Sequence, residues 1–188
     1  MIVAVLAVQG AFIEHEKMLQ RLGANYIELR QKKDLQQEFD ALILPGGEST
    51  VQGKLLRELD MFNGLKDKIE NGMPVLATCA GLILLAEHLS NDVKVHFATL
   101  PVTVKRNAYG RQLGSFYTEE EFEGIGKLPM TFIRAPYIES IAPDVKVLAR
   151  VDGNIVGVQY KHQIAVAFHP ELDEDMRIHK KLLDMIVN

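Results

Sequence analysis

Met73-Pro74-Val75-Leu76-Ala77-Thr78-Cys79-Ala80-Gly81-Leu82-Ile83-Leu84-Leu85 is the stretch around which the rest of the chain is arranged. An apolar strand runs into the only cysteine of the protein, and helical spacing begins directly after it. Strand, cysteine and helix in immediate succession form the pattern of a nucleophile elbow, a strained turn that lifts one side chain above a sheet. Helix and strand can approach at such a turn only if its neighbours are small, as Ala77, Ala80 and Gly81 are. A cysteine in the first turn of a helix lies near unpaired backbone N–H groups and the positive end of the helix dipole, which favour the thiolate. A lone cysteine can equally be a small buried hydrophobe. The small flanking residues and the switch from strand to helix favour the nucleophile.

On the amino-terminal side, residues 2–8 are a continuous apolar run, expected of a central strand covered on both faces. Residues 11–22 carry helical spacing through Phe12, His15, Met18, Leu19 and Leu22, with Gly23 where such a helix would end. Residues 26–29 and 40–44 read as further strands, and residues 51–59 and 65–71 as helices. Strands alternating with helices imply βαβ units and a mainly parallel sheet with helices on both faces. The character changes after about Asn91. Residues 97–104, 114–117, 130–133, 145–151, 155–159 and 164–168 read as strands with few helical signals between them, so the second half adds antiparallel or mixed strands to the same sheet. Asp152-Gly153-Asn154 is a hairpin-turn signal. An amphipathic helix over residues 173–187 closes the chain. The expected fold is an α/β three-layer sandwich, one domain over residues 1–188.

With 188 residues the chain is long enough for one sizeable core and short for two typical domains. Hydrophobic residues at 47% and charged residues at 24% are an ordinary globular balance, which argues against disorder. The net charge of -4, and basic runs no longer than Lys32-Lys33 or Lys180-Lys181, argue against a nucleic-acid partner. One cysteine makes no internal disulfide and suits a reducing compartment. The apolar opening has no basic leader and stops at Gln9-Gly10, so it reads as a strand rather than a signal peptide. No membrane span is indicated, and a cytoplasmic location is expected.

Three features follow apolar strands: Gly46-Gly47 after residues 41–44, Cys79 after Val75 and Leu76, and His169 after residues 164–168. Ligands of open α/β sheets bind outside the carboxyl ends of parallel strands. If the last strand lies parallel to the others, the three converge on one crevice. His169-Pro170-Glu171 then supplies an imidazole to take the thiol proton and a carboxylate to fix that imidazole. Alternatively, Pro170 and Glu171 only precede the final helix, where an acidic residue is favourable. The remaining histidines, His15, His88, His96, His162 and His179, have no carboxylate partner at a strand end and read as surface or partly buried residues. Pro45-Gly46-Gly47-Glu48-Ser49-Thr50 is either a tight turn leading to a helix capped by Ser49 or Thr50, or half of an oxyanion hole whose other donor is the N–H of Ala80.

Leu44-Pro45-Gly46-Gly47-Glu48-Ser49-Thr50, Thr78-Cys79-Ala80-Gly81-Leu82 and His169-Pro170-Glu171 together resemble the class I triad glutamine amidotransferases. Arg106-Asn107-Ala108-Tyr109-Gly110-Arg111-Gln112, Phe132-Ile133-Arg134-Ala135-Pro136 and Val8-Gln9-Gly10-Ala11 with Glu14-His15 are similar to the glutaminase subunits of pyridoxal 5'-phosphate synthases. These motifs span nearly the whole chain. Thr78, where many of the class carry a branched aliphatic residue, and Ala77, where glycine is common, depart from the broader pattern.

The resemblance implies hydrolysis of L-glutamine through a thioester on Cys79, with His169 as base then acid and Glu171 orienting it. It gives Gly47 and Ala80 the oxyanion, and Gly46, Gly47, Glu48, Arg106, Ile133 and Arg134 the substrate. A guanidinium binds a carboxylate bidentately, and the sequence does not choose between the two arginines. The resemblance also implies a synthase subunit that consumes the ammonia and switches the glutaminase on. No metal, cofactor, nucleic acid or membrane is expected. A flexible Gly46-Gly47 peptide, ordered when the partner docks, is the expected switch. A cysteine hydrolase of other acyl substrates would use the same elbow but has no reason to need both arginine motifs. A noncatalytic module would have no reason to keep Cys79, His169 and Glu171.

Overall fold

Ala41–Leu44 and Val75–Thr78 are buried at every position and lie side by side in the middle of one sheet, as apolar runs covered on both faces do. The structure, a computed structural model, describes residues 1–108 and 114–187. The first half runs β1 (Ile2–Leu6), α1 (Phe12–Arg21), β2 (Asn25–Leu29), a 3-10 turn (Lys32–Gln36), β3 (Ala41–Leu44), α2 (Ser49–Glu58), α3 (Phe62–Glu70), β4 (Val75–Thr78) and α4 (Ala80–Leu85). The second half runs β5 (Ala86–Leu89), β6 (Leu100–Lys105), β7 (Ser115–Phe122), β8 (Gly126–Ile133), β9 (Tyr137–Ile141), β10 (Lys146–Val151), β11 (Asn154–Tyr160), β12 (Gln163–Val166), a 3-10 turn (Pro170–Leu172) and α5 (Arg177–Val187).

The sheet order is β2-β1-β3-β4-β12-β11-β10-β7-β8, with β5, β6 and β9 branching from β11. From β2 to β12 every pair is parallel. From β12 outward, β11, β10, β7 and β8 pair antiparallel. The parallel half therefore includes the last strand, which is the condition for the three sequence features to meet. Helices flank the sheet, α1 and α5 being tied by contacts between His15 and His179 and between Arg21 and Glu174, the latter just ahead of α5.

Several boundaries differ from the sequence reading for visible reasons. The β7 strand continues to Phe122 through Glu119, Glu120 and Glu121, which are exposed and give no apolar alternation. The β8 strand begins at Gly126 and tolerates Pro129 because, among the described residues, it pairs with another strand on one side only, at the end of the sheet order. The β5 strand follows α4 without a break, and β9 follows Pro136; neither was expected. The final helix starts at Arg177, whose N–H is accepted by Asp175 Oδ1 at 2.9 Å, so residues 173–176 lie outside it. The Asp152-Gly153 turn is as expected: Val151 pairs with Asn154 across two residues that both have positive φ, the form a tight hairpin requires.

The elbow is wedged into this framework at Gly81, where an added Cβ would stand 2.1 Å from the Leu44 carbonyl oxygen. A methyl group there forces β3 and α4 apart. Gly81→Ala is therefore expected to lower stability by about 1–3 kcal/mol, read as a lower urea midpoint with unchanged slope; an unchanged midpoint would contradict the wedge.

Candidate active site

Cys79 has φ 48 and ψ -99, a conformation that a non-glycine residue adopts only under constraint. Two backbone bonds hold it there. Its N–H donates to the Val166 carbonyl at 2.9 Å, and its own carbonyl accepts from Ile83 N–H at 3.3 Å. The turn thus joins β4, β12 and α4 at one residue. The Cys79 thiol is nearly buried and lies 3.9 Å from the Ile133 carbonyl, at the end of β8.

His169 reaches the thiol from the neighbouring strand. In the parallel register Val166 stands opposite Thr78, so His169 emerges three residues beyond the strand end, on the same edge as Cys79. Its backbone N–H donates to Thr131 on β8 at 2.8 Å, while Phe132 packs between Phe116 and Phe168. Pro170 then opens the 3-10 turn that brings Glu171 back, with Oε1 2.7 Å from His169 Nδ1. Cys79 lines the same cleft as the imidazole, close enough to act on its proton affinity. Burial by itself lowers the affinity of His169 for a proton. Hydrogen bonds to Cys79 and Glu171, with the charge of both, outweigh it and push the imidazole up to about 10. Burial raises the Glu171 carboxyl above the ordinary carboxylate range, and the bond from His169 pulls it back.

The glycine loop is held by polar contacts at Pro45, Gly46 and Glu48. Gly46 N–H donates to Thr78 Oγ1 at 3.0 Å, its carbonyl accepts from Ala11 N–H at 2.9 Å, and Glu48 N–H donates to Gln9 Oε1 at 2.8 Å. Gln52 Nε2 reaches the carbonyls of Gln9 and Pro45 at 3.0 and 3.1 Å. Because the peptide is trans, the N–H of Gly47 points away from Ala11. Neither Gly46 nor Gly47 has positive φ; they are glycines because of close approach. A Cβ on Gly46 would lie 2.3 Å from His169 Cε1, and one on Gly47 2.5 Å from Gln9 Oε1. The helix after the loop is preceded by Glu48 without a side-chain cap, so neither Ser49 nor Thr50 caps it.

A cleft of about 340 Å³ collects these groups: Gly47, Glu48, Cys79, Ile133 and His169 line it, together with Arg106 and Arg134. The arginines differ. Arg106 is ion-paired with Asp92 and donates to Thr50 Oγ1 at 3.3 Å, whereas the Arg134 side chain has no ion pair among the described residues. Arg134 is held in the left-handed region at φ 44. Tyr109, Gly110, Arg111 and Gln112 of the motif that begins at Arg106 lie outside the described residues.

Three histidines read as surface or partly buried are buried: His15, His96 and His179. His15 also has a carboxylate, with Nε2 3.5 Å from Glu171 Oε2. Neighbours along the chain give no sign that His15 is buried, because its carboxylate, Glu171, is 156 positions away. Gln9, Gln52 and Thr78 were given no role. The available signal was polarity in apolar company: Gln9 ends the first strand's run, and Thr78 ends β4.

A buried cysteine, imidazole and carboxylate at the carboxyl edge of a parallel sheet, beside a glycine loop, have the form of the triad amidotransferase class. The sequence matches the SNO glutamine amidotransferase family over residues 5–188. The chain belongs to that family. It is 70% identical over 184 residues to a "Pyridoxal 5'-phosphate synthase subunit PdxT" of Desulfitobacterium hafniense (strain DSM 10664 / DCB-2), covering 98% of this chain and 92% of that one. It is 51% identical over 186 residues to the protein of the same name from Haemophilus influenzae (strain PittEE), covering 97% of each. A solved structure described as "Crystal structure of glutamine amidotransferase" superposes with a TM-score of 0.94 at 40% identity over the whole of both chains. Among the described residues no helix is long and apolar enough to cross a membrane.

A proton bound to His169 stabilises the fold, because its affinity is raised from 6.5 to about 10. That contribution is complete below about pH 6.5 and fades as the pH rises through about 10. Cys79→Ala removes one of the two partners that raise it. In NMR titration the His169 ring of Cys79→Ala is expected to lose its proton at lower pH than in the wild type; identical curves would mean that the thiol and imidazole do not interact.

Proposed function

We propose that this chain hydrolyses L-glutamine to L-glutamate and ammonia on Cys79 and delivers the ammonia to a synthase subunit that builds pyridoxal 5'-phosphate. The observation that carries the proposal is the alignment of Cys79, His169 and Glu171 on one strained sheet edge, with Glu171 2.7 Å from His169. The partner follows from the names of the close relatives. The reading places the activity in the cytoplasm and in a single domain of residues 1–188.

In this mechanism the Cys79 thiolate attacks the side-chain amide carbon of glutamine, and the carbonyl electrons move onto oxygen. The N–H groups of Gly47 and Ala80 receive that oxyanion. As the tetrahedral adduct collapses, the C–N bond breaks and His169 gives its proton to the leaving ammonia. A γ-glutamyl thioester remains. His169, now neutral, takes a proton from water, whose oxygen attacks the thioester; collapse releases glutamate and the thiolate. Glu171 holds the ring in the tautomer that serves both halves. Arg134, with no carboxylate of its own among the described residues, is assigned the α-carboxylate of glutamine. Arg106 lines the same cleft as Gly47, Glu48 and Ile133, its charge already shared with Asp92, and Gly46 is assigned to the substrate site through its place beside Gly47.

Ammonium is not a nucleophile, so ammonia released to bulk water near neutral pH is lost to synthesis. Docking of the synthase subunit is proposed to set the Gly46-Gly47 peptide and so raise turnover. Glutamate release is to be measured with the isolated chain and with the chain saturated by the synthase subunit. Turnover is expected to rise on docking by about 100-fold to 1,000-fold, the worth of one oxyanion donor. Cys79→Ala abolishes it, Glu171→Gln lowers kcat by orders of magnitude, and Arg134→Ala raises KM more than Arg106→Ala does. No glutamate from the complex, or full activity in Cys79→Ala, would refute the reading.

A further inference from the structure

Behind the triad lies a buried polar cluster that the chemistry above does not use. His15 on α1 and His179 on α5 are fully buried, and His15 Nδ1 lies 2.8 Å from His179 Nε2. On the other side of its ring, His15 Nε2 stands 3.2 Å from Thr78 Oγ1 and 3.5 Å from Glu171 Oε2. Thr78 Oγ1 also accepts the Gly46 N–H at 3.0 Å. Glu171 thus gives one oxygen to His169, while its other oxygen is buried with no hydrogen bond among the described residues.

The protons of this cluster can be placed by elimination. Burial holds His15 well below its ordinary value and lowers His179 to about 4, so both rings are neutral near pH 7 and each carries one N–H. Were the proton of His15 on Nδ1, its Nε2 lone pair would face a carboxylate oxygen, and the N–H left on His179 Nδ1 would be a buried donor with no acceptor among the described residues. With the proton on Nε2, His15 points a donor at Thr78 and Glu171, and its Nδ1 accepts from His179 Nε2–H. Only a ring lone pair at His179 Nδ1 then goes unpartnered. An orphaned buried N–H is the rarer and costlier defect.

We propose that His15 is a positioning residue of the triad: oriented by His179, its Nε2–H serves the second oxygen of Glu171 and, through Thr78, ties the acid to the glycine loop. The proposal rests on the glutaminase reading for its role in turnover. The charges around the acid make the donor matter. Glu171 is faced by His169 and His15, and by Glu14 on α1, whose charge opposes its ionisation. His169 in turn is faced by Cys79, Glu171, His15 and Asp173. Removing the N–H of His15 makes Glu171 harder to ionise, and His169 then loses part of what raises it.

The test uses His15→Phe, which keeps a ring without a donor, and His15→Gln, whose amide N–H falls near Nε2. Each is made alone and with Glu171→Gln. The readouts are the NMR titration of the His169 ring, and kcat and KM for glutamine with the synthase subunit bound. His15→Phe is expected to lower the His169 pKa by about one unit or more. It is expected to lower kcat roughly 10-fold to 100-fold, by analogy with the loss of a hydrogen-bond partner behind a metal-binding histidine, with KM nearly unchanged. His15→Gln should recover most of both, and neither change should add to Glu171→Gln. An unmoved His169 titration in His15→Phe, or losses that multiply fully with Glu171→Gln, would overturn the proposal. If His15→Phe does not fold, His179→Phe replaces it, since it removes the bond that fixes the tautomer, and an unmoved titration there overturns the proposal equally. The titration needs no glutamine, so a wild-type complex that releases no glutamate sinks the glutaminase reading and leaves this one to be judged on the titration.

Discussion

The parallel pairing of β12 with β4, Val166 opposite Thr78, sets the distance between thiol and imidazole and with it much of the remaining structure. Neither residue could reach the other from an antiparallel arrangement, because the two strands would then end on opposite edges. The same register continues to β3, where Leu44 pairs with Ala77, so the glycine loop leaves the sheet at the level of Cys79. The backbone bond from Cys79 N–H to Val166 locks this alignment at the strained turn itself. A conformation that costs about 1–3 kcal/mol in isolation persists because three elements fix it at once.

Close approach is the second constraint. Gly46 leaves no room for a Cβ beside His169, Gly47 none beside Gln9, and Gly81 none beneath Leu44. Where side chains are absent, the backbone carries polar groups into the interior, and each must find a partner. Thr78, Gln9 and Gln52 supply those partners for residues 45–48. The same hydroxyl that satisfies Gly46 meets His15, so the Gly46-Gly47 loop and Glu171 share one buried polar cluster. A peptide reorientation at Gly46-Gly47 therefore has a definite cost: it breaks the bond from Ala11 N–H.

Much of this was legible in the sequence. The elbow could be read because strand, cysteine and small residues are consecutive, whereas the convergence of three strand ends stayed conditional on the direction of the last strand, which the structure shows to be parallel. Local patterns do not register side chains that meet across the fold. His15 looked like one more helical position, and only the tertiary structure brings α1, α5 and the turn after β12 to one point. Strands such as β7, with Glu119, Glu120 and Glu121 facing solvent, and β8, with Pro129, violate the apolar pattern because they lie toward the end of the sheet and need not be buried on both faces. The two arginines could not be ranked by sequence. Their difference lies in Asp92, which neutralises Arg106 across a turn and leaves Arg134 to the cleft.

The central claim is covalent: the side-chain acyl group of glutamine passes through sulfur on Cys79. Rapid acid quenching of the complex with the synthase subunit during turnover of isotopically labelled glutamine, followed by mass spectrometry of the peptide containing Cys79, tests it most directly. The account predicts a labelled glutamyl group on Cys79 that appears and decays with turnover and is absent from Cys79→Ala. Steady release of glutamate with no label on Cys79 at any quench time, or label on another residue, would contradict it.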